Sequence, residues 1–317
     1  TDTMYAVYIG KAVQTVTPGA NSVGPTALQD NSVTNAKLAD ATQGDIIYYG
    51  AAGAPAQLAA GTSGYFLKTQ GAGANPVWAA DTDTVTTTRE NVNPVLINGS
   101  MEVAQRNGSV SGIGNGDTGY HTCDRWRYEE GGSPTQEWTQ SQDEIDSSDG
   151  GDAWANGFIR QLKMDCTIAS GSLSAGDYEV IEQRIEKQDC NIFKKGTSNS
   201  EKYTLTFWIK ASKTGINIVE LRDHSYSRSC SQSYTINVAN TYEKKTVVFP
   251  ADATGGFTPN AQLGLSARWY LNAGTNYQSG SLQTTWGSTT AANQAVGQVN
   301  QADSTANVWN LTGAQLE

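Results

Sequence analysis

Charged side chains are scarce in this sequence, and the two signs are unbalanced. Only 16% of its 317 residues are Asp, Glu, Lys or Arg, and 31 acidic against 21 basic residues give a formal net charge of −10. An acidic surface repels phosphate backbones, and no local cluster of basic residues reverses this repulsion. The composition therefore argues against nucleic acid as a partner.

Cysteine is also sparse. Only four are present, Cys123, Cys166, Cys190 and Cys230, and none belongs to a CxxC pair. This pattern argues against a zinc site and excludes a dense disulfide framework. We expect four buried free thiols, and one or two bridges in an oxidising medium are the alternative.

Long hydrophobic runs are missing as well. No stretch approaches the roughly 18 consecutive apolar residues of a membrane span. The opening residues TDTMYAVYIG contain no basic segment followed by an apolar run. We therefore expect no membrane insertion, and the lack of a signal-peptide pattern predicts synthesis in the cytoplasm.

Catalytic and metal-binding motifs are few. The chain has two histidines, His121 and His224, and it has no G-x-S-x-G elbow, P-loop or dinucleotide fingerprint. The acidic run DEIDSSDGGD does not follow the spacing of a calcium loop. We expect no enzyme activity, cofactor or metal ion, and a pair of carboxylates for glycoside hydrolysis is the catalytic alternative.

What the sequence does contain is a short repeat at residues 21–40, where NSVGPTALQD is followed by NSVTNAKLAD. Its apolar anchors are Val23, Leu28, Val33 and Leu38. Their five-residue spacing fits neither an amphipathic helix nor an alternating strand. One chain cannot bury such sparse anchors, whereas three chains around an axis can. We therefore predict a homotrimer with these four residues in its core.

The composition changes near residue 90. Before it lies one tryptophan, Trp78, and after it lie the other seven. GDIIYYG, AQLA, GTSGYFLKTQG and NPVWA are short apolar pieces between Gly and Pro turns, which predict small hairpins. A disordered linker is the alternative. We expect an N-terminal segment 1–20, a repeat-containing stalk 21–90 and a distal domain 91–317.

The distal domain is predicted to be all-β. Segments such as KYTLTFWIKAS, INIVELRD and EKKTVVFP are rich in β-branched and aromatic residues and are bounded by turn residues. Seven or more such strands without long helices predict a β-sandwich of two stacked antiparallel sheets. DYEVIEQRIEKQD is ambiguous, because Tyr178, Ile181 and Ile185 also fit one face of a helix.

Two groups of motifs resemble those of bacteriophage tail fibres. SVTNAKLAD followed by GDIIYYG and GTSGYFLKTQGAGANPVWA resembles their stalk repeats. LINGSMEVAQRNG, CDRWRY, EQRIE, YTLTFWIKASKTG, VELRD and LTGAQLE follow the order of a C-terminal jelly-roll domain that is similar to carbohydrate-binding modules. The resemblance implies a homotrimeric viral fibre in the virion, with an extended trimeric stalk and a jelly-roll receptor-binding domain.

The resemblance also implies two partners. The distal domain would bind a host surface polysaccharide or lipopolysaccharide, and residues 1–20 would attach to a tail or baseplate protein. The alternating run at Tyr5, Val7 and Ile9 is typical of a strand without a partner of its own, which suits addition to an exposed sheet. A frayed terminus is the alternative.

Sugar-binding sites pair an aromatic platform with polar side chains, and three stretches of the distal domain offer that pairing. The candidate glycan-binding residues are Arg222, Asp223, His224, Tyr226, Trp269, Tyr270, Tyr277 and Trp286. LRDHSYSRS is expected to begin a loop after a strand, and a solvated loop without ligand is its alternative. Because Trp269 and Tyr270 are adjacent on a strand, one of them must point into the core.

These features favour an adhesin, in which three copies of a weak site gain affinity by acting together. A virion scaffold or connector without receptor binding is the alternative function. A depolymerase of capsule or O-antigen is a less favoured one. Aromatic side chains exposed beside polar ones at the surface would favour the adhesin.

Overall fold

The computed structural model describes Met4 and residues 42–80, 95–148 and 151–317. The chain divides into two compact units, Thr1–Glu90 and Asn91–Glu317. The predicted trimer anchors Val23, Leu28, Val33 and Leu38 lie outside the described residues, as does the predicted strand at Tyr5, Val7 and Ile9.

Two antiparallel hairpins form the described part of the smaller unit. Their strands are β1 (Ile46–Tyr49), β2 (Pro55–Leu58), β3 (Tyr65–Lys68) and β4 (Val77–Ala80). β1 pairs with β2, and β3 pairs with β4. The indole N–H of Trp78 donates a hydrogen bond to the Ala59 carbonyl at 2.6 Å and so connects the second hairpin to the end of the first. The prediction of small hairpins is confirmed for these residues.

The larger unit is a β-sandwich of two six-stranded antiparallel sheets. Its strands are β5 (Ser109–Gly114), β6 (Trp126–Gly131), β7 (Glu137–Glu144), β8 (Arg160–Ile168), β9 (Tyr178–Glu186), β10 (Tyr203–Ala211), β11 (Gly215–Asp223), β12 (Arg228–Ile236), β13 (Glu243–Phe249), β14 (Leu263–Ala273), β15 (Gly287–Ser288) and β16 (Val308–Leu316). The first sheet has the order β13-β10-β16-β8-β7-β5, and the second has the order β15-β12-β11-β14-β9-β6. The all-β jelly-roll prediction is confirmed.

Helical segments are short in the described part of this unit. They are α1 (Gly151–Ala155), α2 (Thr275–Gln278) and 3-10 turns at Asp189–Phe193 and Ala291–Asn293. None of the helices described is long and apolar enough to cross a membrane.

The core between the two sheets is built around large aromatic side chains. Trp126, Trp138, Trp269 and Trp309 are fully buried. The ring centroids of Trp126 and Trp269 lie 5.4 Å apart, and Phe207 meets Trp269 edge-to-face at 5.6 Å. Burial of such side chains, with their preferred tilted packing, is the main stabilising contribution of the sandwich.

The four cysteines belong to the same packing. All are buried and unbridged, in agreement with the expected free thiols. Burial raises the pKa of Cys123, Cys190 and Cys230 to about 12. Because the thiolate is the reactive form, these cysteines are inert near neutral pH.

The ambiguous segment at residues 178–186 is a strand. β9 pairs with β14 on one side and with β6 on the other. Ile181 and Ile185 point into the core, whereas Tyr178 and Val180 belong to a second apolar cluster on the opposite face. The helix-like spacing therefore arose because both faces of this strand are covered by apolar groups.

Candidate functional site

Side chains alternate between the two faces of the second sheet along β11 and β14, so the predicted glycan-binding residues of these strands lie on opposite faces. In β14, Trp269 points into the core between the sheets, and Tyr270 belongs to the second apolar cluster. In β11, Arg222 and Asp223 are strand residues that point to opposite faces, so the predicted loop does not begin before them. We call the face of the second sheet that carries Tyr270 and Arg222 the outer face.

A segment after β14 crosses the outer face, and we call residues 274–299 the strap. It includes α2, β15 and the 3-10 turn at 291–293. The backbone N–H of Ala295 donates to the Tyr277 carbonyl at 2.9 Å, which closes the strap on itself. The Gln294 side chain donates to Glu220 of β11 at 2.7 Å, and Gln298 accepts from the Ile218 N–H at 2.7 Å. These bonds attach the strap to the sheet.

A cavity of about 270 Å³ lies between the strap and the outer face. It is lined by Tyr178, Arg222, Arg268, Tyr270, Tyr277, Thr289, Ala291 and Gln294. Three of the predicted residues, Arg222, Tyr270 and Tyr277, therefore meet in one place. We take this cavity as the candidate functional site.

Three tyrosines form one wall of the cavity. Tyr178 meets Tyr277 edge-to-face with ring centroids 5.0 Å apart, and it meets Tyr270 at 6.5 Å. The ring of Tyr178 crosses Gly131 of β6, where an added Cβ would lie 2.1 Å from a ring carbon. Only glycine leaves this space free, so the backbone of β6 helps to fix the ring.

The hydroxyl groups of Tyr270 and Tyr277 are neutral at physiological pH. Burial raises the pKa of Tyr270 well above its ordinary value, and it also raises the pKa of Tyr277. The hydroxyl of Tyr270 donates to Glu220 Oε2 at 3.1 Å. Tyr178 and Tyr277 are partly exposed and each offers an apolar ring face with a hydroxyl group, whereas Tyr270 is 1% exposed and supports them from behind.

Arg268 forms the floor of the cavity and is almost fully buried. Its guanidinium lies 2.8 Å from Glu220 Oε2 and 3.3 Å from Glu182 Oε2. Burial alone would raise the pKa of Glu182, but the charges of Arg268 and Arg184 outweigh it and lower that pKa. Arg268 is thus an ion-paired cation that holds the floor in place.

Arg222 stands beside Arg268 and is half-buried. It forms no ion pair and no side-chain hydrogen bond with any residue that the structure describes. His224 follows on the same face and shares a 2.9 Å hydrogen bond with Ser266 Oγ. Desolvation by its neighbours lowers the pKa of His224, whose side chain remains partly exposed.

The other predicted residues lie elsewhere. Trp269 is fully buried in the core and has no surface for a ligand. Asp223, Tyr226 and Trp286 surround the buried ammonium group of Lys195 at the end of the sandwich. Asp223 lies 2.6 Å from Lys195 Nζ, and the rings of Tyr226 and Trp286 lie 5.5 and 5.7 Å from it. These three residues hold a structural cation, and we leave them out of the candidate site.

A larger depression of about 430 Å³ lies next to Lys195. Its lining is composed of small and polar residues with a single ring, Phe257. It therefore lacks the aromatic platform of the outer face. Among the residues described, no group of three or more His, Cys, Asp or Glu side chains is arranged to hold a metal ion.

Sequence reasoning missed Tyr178, Arg268, Thr289 and Gln294. A signal for Arg268 was present, because it lies two residues before Tyr270 and so faces the same side of a strand. Tyr178 was hidden by the ambiguity of its segment. Thr289 and Gln294 reach the cavity only through the path of the strap.

No protein-family model and no curated protein matches the chain. Among solved structures, it is similar to the enzymatically active domain of bacteriophage CBA120 tailspike protein 4, with a TM-score of 0.34 and 13% identity over 70% of this chain. The match covers 21% of the length of that solved domain.

Two carbohydrate-binding modules are also similar. The family 11 module of the Clostridium thermocellum cellulase Lic26A-Cel5E has a TM-score of 0.29 and 8% identity, with 63% of this chain and 91% of the module covered. TmCBM61, solved with β-1,4-galactotriose, has a TM-score of 0.24 and 8% identity, with 71% of this chain and 98% of the module covered. These similarities are too distant to assign a family or an activity, and the architecture rests on the strand pairing described above.

Proposed function

We propose that the larger unit is a glycan-binding module and that the chain is a bacteriophage tail fibre that attaches to host cells through it. One observation carries the proposal: the outer-face cavity combines three tyrosines with two arginines, a threonine and a glutamine. Carbon-bound hydrogens on a sugar face pack against aromatic rings, and sugar hydroxyls need donors and acceptors at the rim.

Binding without cleavage is the activity that this lining supports. Hydrolysis of a glycosidic bond uses two carboxyl groups on either side of it. None of the eight residues that line the cavity is acidic. Glu220 lies behind the lining, where Arg268, Tyr270 and Gln294 already occupy its oxygens.

We further propose that the chain is a homotrimer, attached to a tail or baseplate protein through residues 1–20. The smaller unit supports self-association because its two short hairpins leave five large apolar side chains at least 44% exposed. These are Ile47, Tyr49, Tyr65, Phe66 and Leu67. A small unit that exposes so much apolar surface needs further contacts to bury it. Three linked sites would then raise a weak single-site affinity by about 10² to 10⁴.

The test of glycan binding uses the full chain and a panel of bacterial capsular polysaccharides and lipopolysaccharides. Tyr277→Ala removes one ring of the platform and should weaken binding at least tenfold, which corresponds to about 1.4 kcal/mol. Tyr120→Ala is the matched control, because Tyr120 is 38% exposed on the same unit and does not line the cavity. The control should bind as the unchanged protein does, and circular dichroism should show both variants folded.

Three results would contradict this proposal. Equal glycan affinities of the Tyr277→Ala and Tyr120→Ala variants would place the binding site outside the cavity. Shortening of the polysaccharide during incubation would make the protein a depolymerase. Absence of binding to every member of the panel would favour a virion scaffold or connector.

A further inference from the structure

The charge of the outer-face cavity is opposite to that of the whole molecule. The chain has a formal net charge of −10, yet the charged residues in the cavity lining are two arginines, Arg222 and Arg268. A cationic cavity in an acidic protein is a local arrangement that the average composition does not produce.

The protein itself neutralises Arg268. Glu220 and Glu182 both contact its guanidinium, at 2.8 and 3.3 Å. Glu182 also lies 3.4 Å from Arg127 and 2.7 Å from Arg184. These carboxylates are therefore fully engaged and cannot also compensate a further cation.

Arg222 has no such compensation. It forms no ion pair within the described residues, and the other charged residue of the lining, Arg268, is a cation that is already paired with Glu220 and Glu182. The pKa of Tyr270 and that of Tyr277 are raised by burial, so neither hydroxyl ionises near pH 7. His224 does not line the cavity. A half-buried guanidinium without an anion has lost part of its hydration and has gained no partner.

We propose that the cavity takes an acidic glycan, with an anionic substituent of the sugar on the guanidinium of Arg222 and the sugar ring against the tyrosine wall. This inference rests on the proposed glycan binding and adds the substrate class. A carboxylate or phosphate matches the planar fork of arginine, which can donate two parallel hydrogen bonds to either group. Such charge-assisted bonds are about twice as strong as neutral ones.

The experiment measures binding of the full chain to matched pairs of polymers. One pair is a uronic-acid-containing capsular polysaccharide and the same polymer after its carboxyl groups are reduced to alcohols. The other is a phosphate-bearing polysaccharide before and after removal of the phosphate. We expect the neutral polymer of at least one pair to bind at least tenfold more weakly, and that pair identifies the anionic group.

Two variants assign the preference to Arg222. Arg222→Gln keeps hydrogen-bonding capacity but removes the charge, and it should bind the acidic and neutral polymers equally. Arg160→Gln is the control, because Arg160 is a half-buried arginine in β8 of the first sheet and forms no ion pair within the described residues. It should retain the full preference.

The outcomes separate the two proposals. Equal binding of acidic and neutral polymers, with loss in Tyr277→Ala, would overturn the acidic preference and leave glycan binding intact. A preference that survives Arg222→Gln would overturn the assignment to Arg222. Absence of binding to all four polymers and to the wider panel would overturn glycan binding itself.

Discussion

At the scale of single residues, Lys195 shows how this β-sandwich places a charge in its interior. Its side chain has no exposed surface, and Nζ lies 2.6 Å from Asp223 and 3.1 Å from Asp252. Nζ also donates to the carbonyls of Thr254 and Gly255 at 2.7 and 2.8 Å. The ammonium group is therefore satisfied by oxygen on several sides, which is the condition for tolerating a buried charge.

Lys195→Met should destabilise the larger unit by about 3–5 kcal/mol, because the variant leaves Asp223 buried without its cation and Asp252 paired with Arg228 alone. Lys194→Met is the matched control, since Lys194 is the adjacent residue and pairs with Glu201 at a side-chain exposure of 55%. An exposed pair of this kind contributes less than about 1 kcal/mol. Urea unfolding followed by tryptophan fluorescence measures both, and equal losses would show that the Lys195 contacts are not stabilising.

At the scale of elements, Glu179 connects strands of both sheets. Its carboxylate accepts hydrogen bonds from Tyr128 of β6 at 2.6 Å and from the Trp138 indole of β7 at 3.2 Å, and Asn272 of β14 is a third donor. Burial raises the pKa of Glu179 to about 7, although these donors partly oppose the shift. The connection therefore depends on pH.

The direction of this pH dependence follows from the pKa of Glu179 in the folded chain and its ordinary pKa in the unfolded chain. Below about pH 4.5 the group is protonated in both the folded and the unfolded chain. Between that pH and about 7 only the folded chain retains the proton. The free energy of unfolding should thus fall as pH rises through this window, by about 3 kcal/mol at most.

Glu179→Gln should remove this fall, so that the variant gains stability relative to the unchanged protein between pH 5 and pH 8. Asn272 Oδ1 has no hydrogen-bond partner among the described residues. If the Asn272 amide rotates, this oxygen can accept a hydrogen bond from the side-chain amide of the introduced glutamine. Urea unfolding at the two pH values provides the measurement.

Glu243→Gln is the control for this experiment. Although burial opposes the shift, hydrogen bonds from Lys245, Val238 and Asn237 lower the pKa of Glu243 to about 2. Its contribution is lost only in more acidic solution, so this variant should show the same change between pH 5 and pH 8 as the unchanged protein. A gain for Glu243→Gln equal to that for Glu179→Gln would refute the assignment to Glu179.

At the scale of the whole molecule, the proposed trimer rests on the ten-residue repeat at residues 21–40. We expect sedimentation of the full chain to give three times the chain mass of 33.8 kDa. Leu28→Asp combined with Leu38→Asp would place carboxylates among the proposed anchors and should produce monomers. Ser22→Asp with Ser32→Asp adds the same charges at polar positions of the repeat and should leave the mass unchanged. Monomers of the unchanged protein would disprove the trimer.

Several strands could be predicted from the sequence with little error. KYTLTFWIKAS contains β10, INIVELRD coincides with most of β11, and EKKTVVFP contains β13. Each is a run of β-branched and aromatic residues that ends at turn residues, and the local preference agrees with the final fold. The prediction was ambiguous at β9, because both faces of that strand are covered and alternation is lost.

The candidate site could be predicted only in part. Arg222, Tyr270 and Tyr277, which were selected because aromatic and polar side chains are adjacent in those segments, line the cavity, and their role in glycan binding stays a prediction. Trp286 and Tyr226 satisfied the same rule, yet they pack around Lys195. A local rule recognises suitable side chains, but it contains no information about which of them share a surface.

The sequence by itself determined the fold class of the larger unit, because strand preference, turn residues and alternation act within a few neighbouring residues. Only the tertiary structure decided which residues form the cavity. Arg222 comes from β11, Arg268 and Tyr270 from β14, and Tyr178 from β9, while Tyr277 and Gln294 come from the strap. Strand order and the path of the strap bring these groups together, and both depend on long-range packing of the two sheets that no local pattern encodes.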